Sequence, residues 1–413
     1  MDKKAILLLE DGTSFSGSSY AASGEVIGQV IINTAVVGYQ EMLTDPANAG
    51  KILVLTYPLI GNYGTNDKFS ESDRVWASGL VIKEHSRIYS NWQAQGCLED
   101  FLKRYNTPAI SGVDTRTLTV HIRNKGEMLG IISAKDFQKE SLLEKLRDFK
   151  SRGERSFLGE FQARQEKIKG AANKKIVLIN LGISRGILNQ LQKVGFDITM
   201  VPYDISLSEL MRLAPRGVII SPGPEQDPGL DKTVDTVSKL VGKLPLLGLV
   251  TGHEVLARAL GAKIKKMKLG HHGVNYPVIK PGSLKGEITV QNHSFMVDEG
   301  SLPKKDIEIA ERNLNDQSVE KLKSDKLKFI SIQYCASSPG MQEVHPVFLE
   351  FAQLLKKTGT VLESFKKCPS LGDSSALRQY PALSEGQVRR LLRRQPSLKT
   401  KKLCQKEQTS KKS

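Results

Sequence analysis

Leu244-Pro245-Leu246-Leu247-Gly248-Leu249-Val250-Thr251-Gly252-His253-Glu254-Val255-Leu256-Ala257-Arg258-Ala259-Leu260 passes from an unbroken apolar run, through two glycines, into a helical pattern. Leu244–Val250 predicts a strand buried on both faces, and Glu254–Leu260 predicts the helix that follows it. Gly248 and Gly252 bracket the turn, giving it the form G-x-Nuc-x-G, in which backbone and helix approach closely. Such a turn holds its central side chain at a helix N-terminus, where the peptide dipoles favour negative charge on a thiolate or alkoxide. The central residue here is Val250, which has neither a nucleophilic atom nor an ionisable proton. A plain strand-to-helix turn is the commoner origin of such a pentapeptide, so these five residues alone do not assign a chemistry.

The same strand, short loop, helix order recurs upstream. Ile176–Leu181 is a short apolar run leading to a helical stretch at Gly186–Val194. Gly217–Ile220 is another buried-type strand and ends in Ser221-Pro222-Gly223-Pro224. Phe348–Leu355 predicts a closing helix. This order predicts a parallel-rich sheet covered on both faces over residues 175–356. Residues 1–150 read differently, as a β-rich α/β domain with strands at Ala5–Leu9 and Val26–Ile32 and helices at Leu98–Arg104 and Leu142–Phe149. Residues 151–174 are polar and charged and read as a linker. Residues 357–413 read as a basic, disordered tail.

The 413-residue chain carries a net charge of +16. Residues 356–413 hold 15 Lys and Arg against 4 Asp and Glu, a net +11, and the preceding 355 residues carry the other +5. Basicity is therefore mainly a property of the tail. No run approaches the ~20 apolar residues of a membrane span. The apolar stretch after Met1-Asp2-Lys3-Lys4 is too short for a signal peptide, so the chain is expected in the cytoplasm. Cys97, Cys335, Cys368 and Cys404 are scattered without a CxxC pair, which argues against a disulfide framework or a zinc site.

A long series of ordered blocks carries a resemblance. Leu8-Leu9-Glu10-Asp11-Gly12-Thr13, Gly38-Tyr39-Gln40-Glu41, Leu43-Thr44-Asp45-Pro46, Tyr57-Pro58, Gly61-Asn62, Gly64-Thr65-Asn66 and Asp114-Thr115-Arg116 stand in the first half. Gly261-Ala262-Lys263, Gly270-His271-His272-Gly273, Gln291-Asn292-His293 and Val297-Asp298-Glu299 follow in the second. In this order they resemble the small subunit of carbamoyl phosphate synthetase, whose C-terminal half is a flavodoxin-like class I glutamine amidotransferase domain. The resemblance covers residues 1–355, and other amidotransferases lack the N-terminal part.

It implies a specific catalytic unit, which this sequence departs from. The family's elbow reads G-I-C-L-G-H-Q, with Cys as nucleophile, and a later Q-G-H-P-E segment supplies His and Glu. Here Val250 takes the Cys position and Glu254 the Gln position. The later segment is Ile332-Gln333-Tyr334-Cys335-Ala336-Ser337-Ser338-Pro339-Gly340, one residue shorter and without His or Glu. The family's oxyanion and glutamine loop, S-N-G-P-G-D-P, becomes Ser221-Pro222-Gly223-Pro224-Glu225-Gln226-Asp227-Pro228, with Glu225 for the second Gly and one residue inserted. A carboxylate there opposes the developing charge that an oxyanion hole stabilises. The Ser that the N-terminal domain lends to the glutamine site is Ala47. Gly223, Thr251, Glu254, Asn292, Ser294 and Phe295 are the remnants of the substrate pocket, with Ser294 in place of a Gly.

Thr251 and Cys335 are the candidates for a substitute nucleophile. Thr251 lies one step along the turn and is expected to point elsewhere. Cys335, without a cationic neighbour, is expected to keep an ordinary thiol pKa near ~8.5. Adjacent strand residues such as His271 and His272 face opposite ways and have no carboxylate at ligand spacing, so no metal is expected. Asp114 or Thr115 is expected to cap a helix at Leu118–Arg123. In the tail, Ser384-Glu385-Gly386-Gln387 precedes a basic stretch that reads either as a short helix contacting an anionic partner or as a solvated extension.

The resemblance thus implies a large-subunit partner that holds ATP and Mg, with no cofactor in this chain and a pocket poorly matched to glutamine. Three functions remain open: a small subunit without glutaminase chemistry, an amidotransferase with an unorthodox nucleophile, and a binding or regulatory protein independent of the synthetase.

Overall fold

The computed structural model describes residues 3–153, 155–161, 166–170, 174–303, 305–336 and 344–358. The tail, with its Ser384–Gln387 motif, Cys368 and Cys404, and the Ser337–Gly340 part of the late segment lie outside these residues.

The N-terminal strands close into a seven-stranded barrel. In chain order they are β1 (Lys3–Leu9), β2 (Ser14–Ser19), β3 (Glu25–Asn33), β4 (Lys51–Leu55), β5 (Gly79–Val81), β6 (Ala109–Ser111) and β7 (Leu129–Ser133). Around the barrel they run β1-β2-β6-β5-β4-β3-β7, and β7 pairs back onto β1. The two-residue strand period explains why Val30–Ile32 of β3 and Ile52–Leu55 of β4 are continuous apolar runs: alternate residues serve different cores. Val30, Ile32, Ile52 and Val54 fill one core with Leu7, Leu9 and Ile110. The alternate residues Ile31, Leu53 and Leu55 fill a second with Tyr39, Leu43, Leu98 and Phe101. Asp114 is the cap: its carboxylate accepts from Thr117 N at 3.0 Å and opens the helix Thr115–Lys125.

The second sheet has ten strands: β8 (Glu166–Ile168), β9 (Lys174–Asn180), β10 (Phe196–Pro202), β11 (Gly217–Ile220), β12 (Leu246–Leu249), β13 (Ile264–Ile279), β14 (Gly286–Val297), β15 (Glu308–Asn313), β16 (Val319–Ser324) and β17 (Phe329–Ile332). Their order is β8-β10-β9-β11-β12-β17-β16-β15-β13-β14. The centre, β10-β9-β11-β12-β17, is parallel, and antiparallel strands extend it on both sides. One face packs Ile176, Leu178, Ile219, Leu247 and Ile330 with Ile187, Leu191, Phe348 and Phe351 of the helices Arg185–Lys193 and Pro346–Thr358. Every residue of β11 and β12 is buried, as the continuous apolar runs predict.

The stretch 151–174 is structured where described. Leu158 and Phe161 are buried in a 3-10 turn, and β8, the edge strand, pairs antiparallel with β10. Asp227 fastens this stretch by accepting from Ser156 Oγ at 2.7 Å and Leu158 N at 3.1 Å. The described part of a second, smaller unit is Ser206–Ala214, whose helix Leu207–Arg212 is closed by a Ser206–Glu209 capping box. No helix among the described residues is long and apolar enough to cross a membrane.

Candidate functional site

The turn after β12 is as sharp as its glycines suggest. A Cβ on Gly248 would lie 2.5 Å from Gly252 O, and one on Gly252 would lie 2.2 Å from Ile220 O. Val250, between them, has φ +52°, a region β-branched side chains avoid, so the tight turn imposes strain on this residue. The helix begins at Thr251, three residues earlier than its apolar pattern suggests. His253 N and Glu254 N both donate to Val250 O. Val250 is 1% exposed.

The two candidate replacements for a nucleophile are engaged or suppressed. Thr251 Oγ1 donates to Gly223 O at 2.6 Å and is buried. Cys335 N donates to Val290 O, and the residue is partly buried. Its thiol does not keep an ordinary pKa: burial, followed by the carboxylates of Asp45 and Glu71, pushes it far up. A cation is present after all, because Lys51 acts in the opposite direction, but it is outweighed.

Of the residues expected to remain from a substrate pocket, Ser294, Phe295 and Glu254 meet Glu225. Its carboxylate accepts from Ser294 N at 2.8 and 3.0 Å, from Phe295 N at 3.1 Å and from Lys51 Nζ at 3.2 Å. Lys51 opens β4 of the barrel, so this ion pair joins barrel to sheet. Glu254 lies beside it. Burial and then the neighbouring Glu225 raise the Glu254 pKa strongly, keeping it protonated, and Gln333 Nε2 donates to Glu254 Oε1 at 3.0 Å. Asn292 is held by Asn48, through Nδ2 to Oδ1 at 3.0 Å, and by His272 at 2.8 Å. Ala47 is buried in the turn Pro46–Asn48, and Pro46 packs against Gly182. The loop carrying Gly223 is equally close: a Cβ there would lie 2.0 Å from Leu181 O.

His271 and His272 do face different partners. His272 Nε2 meets Glu127 Oε1 at 3.1 Å, and Glu127 also accepts from Gly270 N. His271 meets Asp316 at 3.1 Å and Gln291 at 2.7 Å. The expectation that no carboxylate stands near the pair is corrected: Glu320, on β16, joins His271 and His293 with ligand atoms all within 4.8 Å. Their nitrogens already contact Gln291, Asp316 and Phe295 O, and Glu320 Oε1 accepts from Asn313 at 3.0 Å. The group reads as an ion-pair network.

That network has a pH signature. Burial lowers the His271 pKa, but hydrogen bonds to Asp316 and Glu320 outweigh it and hold it up at about 9, from an ordinary 6.5. A raised folded-state value stabilises the fold fully below about pH 6.5, and that contribution is lost as pH rises to about 9. The urea midpoint is expected to fall across this window, with a loss on the order of 3 kcal/mol. His271→Gln should remove this pH dependence. If the variant and the native chain show the same slope, the imidazolium pairing is disproved.

Residues 7–132 match the family described as carbamoyl-phosphate synthase small chain, CPSase domain. Residues 177–354 match glutamine amidotransferase class-I. The carbamoyl phosphate synthase small chain of Syntrophotalea carbinolica is 39% identical over 370 residues, covering 86% of this chain and 98% of that protein. The pyrimidine-specific small chain of Bacillus subtilis is 36% identical, covering 86% and 97%. The small chain of Archaeoglobus fulgidus is 37% identical, covering 86% and 99%.

Proposed function

Because the chain belongs to the carbamoyl phosphate synthase small-chain family, we propose that it acts as a small subunit without glutaminase chemistry, docking on a large subunit that uses free ammonia. The large subunit makes carbamoyl phosphate from ATP, bicarbonate and ammonia and supplies the ATP and Mg sites; this chain needs no cofactor of its own. The observation that carries the reading is Val250 at the centre of the strained turn, where the side chain has no nucleophilic atom. The strained elbow survives, while the group it would present does not. Thr251 and Cys335 do not replace that group, since one hydroxyl is committed to a carbonyl and one thiol is held protonated. The barrel keeps the ordered blocks of the family's N-terminal domain, which supports docking as the retained role.

Nitrogen-donor assays test this reading. The purified two-chain complex is expected to form carbamoyl phosphate with ammonium salts, with no gain when glutamine is added. Glutamine-supported synthesis in ammonia-free buffer would refute it.

A further inference from the structure

The Glu225 carboxylate sits in a receptor assembled from two distant pieces of chain. Ser294 and Phe295 offer successive backbone N–H groups from β14, Lys51 offers an ammonium from β4, and Glu225 arrives on the loop after β11. The Glu225 and Lys51 side chains are 3% and 9% exposed, and Ser294 and Phe295 are buried. Converging N–H donors and a cation are the usual means of holding any carboxylate, because charge-assisted bonds are the strong ones. The next residue, Gln226, has φ +56°, which turns the chain sharply just past Glu225.

We propose that this is a carboxylate-binding site which the chain fills with its own Glu225, so that the site is closed to a free ligand carboxylate. The inference rests on reading Ser294 and Phe295 as remnants of a glutamine pocket. The ligand class is a small carboxylate or the α-carboxylate of an amino acid, since two successive N–H groups and one ammonium already hold the Glu225 carboxylate here. A tethered carboxylate acts at an effective concentration on the order of millimolar or above, which a weakly binding free acid cannot displace. The substitution of Gly by Glu225 thus has a second consequence besides opposing an oxyanion: it occupies the donors that a ligand would need.

Chemical rescue tests the proposal. Glu225→Ala leaves Lys51 and two N–H groups without their anion, and its Tm is expected to fall by about 5–10 °C. Sodium acetate or L-glutamine at about 50 mM, compared with sodium chloride at equal ionic strength, should recover several degrees of that loss. The native chain should gain nothing beyond the chloride control, and Lys51→Met in the Glu225→Ala background should reduce the recovery. If Glu225→Ala does not fold, Glu225→Ser shortens the side chain and leaves the Lys51 ammonium and both N–H groups open, and the same carboxylate-specific rise is expected. No carboxylate-specific rise in either variant, or an equal rise in the native chain, overturns the proposal. Such a failure leaves the nitrogen-donor result untouched, and glutamine-supported synthesis would refute the subunit reading without bearing on the rescue.

Discussion

Val250→Cys is expected to hydrolyse glutamine no faster than the native chain, roughly 10⁶-fold below an intact enzyme of this kind. The turn would present the thiol at a helix N-terminus, which favours a thiolate, but among the described residues neither His253 nor His293 is suited to take and return its proton. His253 is the nearest imidazole in sequence. It is buried, bonded through Nδ1 to Ser331 Oγ at 2.8 Å, and desolvation drops its pKa to about 3. His293 is buried with a lowered pKa and contacts Phe295 O and Gln291. Neither can act as a base near neutral pH. On the proposal above, the carboxylate end of a ligand is also shut out, because Glu225 holds the Ser294 and Phe295 N–H groups. Restoring the His-Pro-Glu segment and the glycine loop together with the Cys should be required, since such groups act as a unit. A glutamine-analogue electrophile followed by mass spectrometry gives a second readout. No adduct is expected on the native chain; stoichiometric labelling of Thr251 or Cys335, or turnover by the single variant near that of an intact relative, would show this account of the pocket to be mistaken.

What could be read in advance depended on whether a feature is local. The apolar runs at Gly217–Ile220 and Leu246–Leu249 stand as strands because burial on both faces leaves a continuous signature in sequence. The elbow was legible from Gly248 and Gly252, whose close contacts admit no Cβ. The helix start was not, because Thr251, Gly252 and His253 form helix poorly by themselves and are held there by packing. Barrel closure was hidden because β5 and β6 have only three residues each, too few to show a period. The segment 151–174 looked like a linker since its anchor, Asp227, lies some 70 residues away. The same holds at the site. That the turn's central side chain carries no nucleophilic atom is read directly from Val250. The capture of Glu225 by Ser294 and Lys51, and the approach of Glu320 to His271, depend on strand register and on contact between barrel and sheet.

Co-expression with a cognate large subunit is expected to give a stable complex that survives size exclusion at micromolar concentration. If docking is the retained role, the surfaces and core that support it should persist while the reaction centre decays, and the barrel fits this pattern. Tyr39 and Gln40 are buried, Tyr63 Oη accepts from Gly38 N at 2.7 Å, and Gln40 Nε2 donates to Asn66 O at 2.7 Å. The family blocks Gly38–Glu41 and Gly64–Asn66 are thus tied to one another. Three contacts then lock barrel to sheet: Lys51 to Glu225, Asn48 to Asn292, and Glu127 to His272. Two of these use Glu225 and Asn292, positions that the resemblance places at the glutamine site, and here both serve as a structural seam. Removing residues 359–413 should leave the complex intact, because both family matches end before them. Lys51→Met should loosen the seam and weaken assembly, since it strands Glu225 as a buried charge, a loss of about 3–5 kcal/mol. If the two chains elute separately, the subunit reading fails and a binding protein independent of the synthetase takes its place. If only the truncated chain separates, the basic tail, and not the barrel, carries the docking.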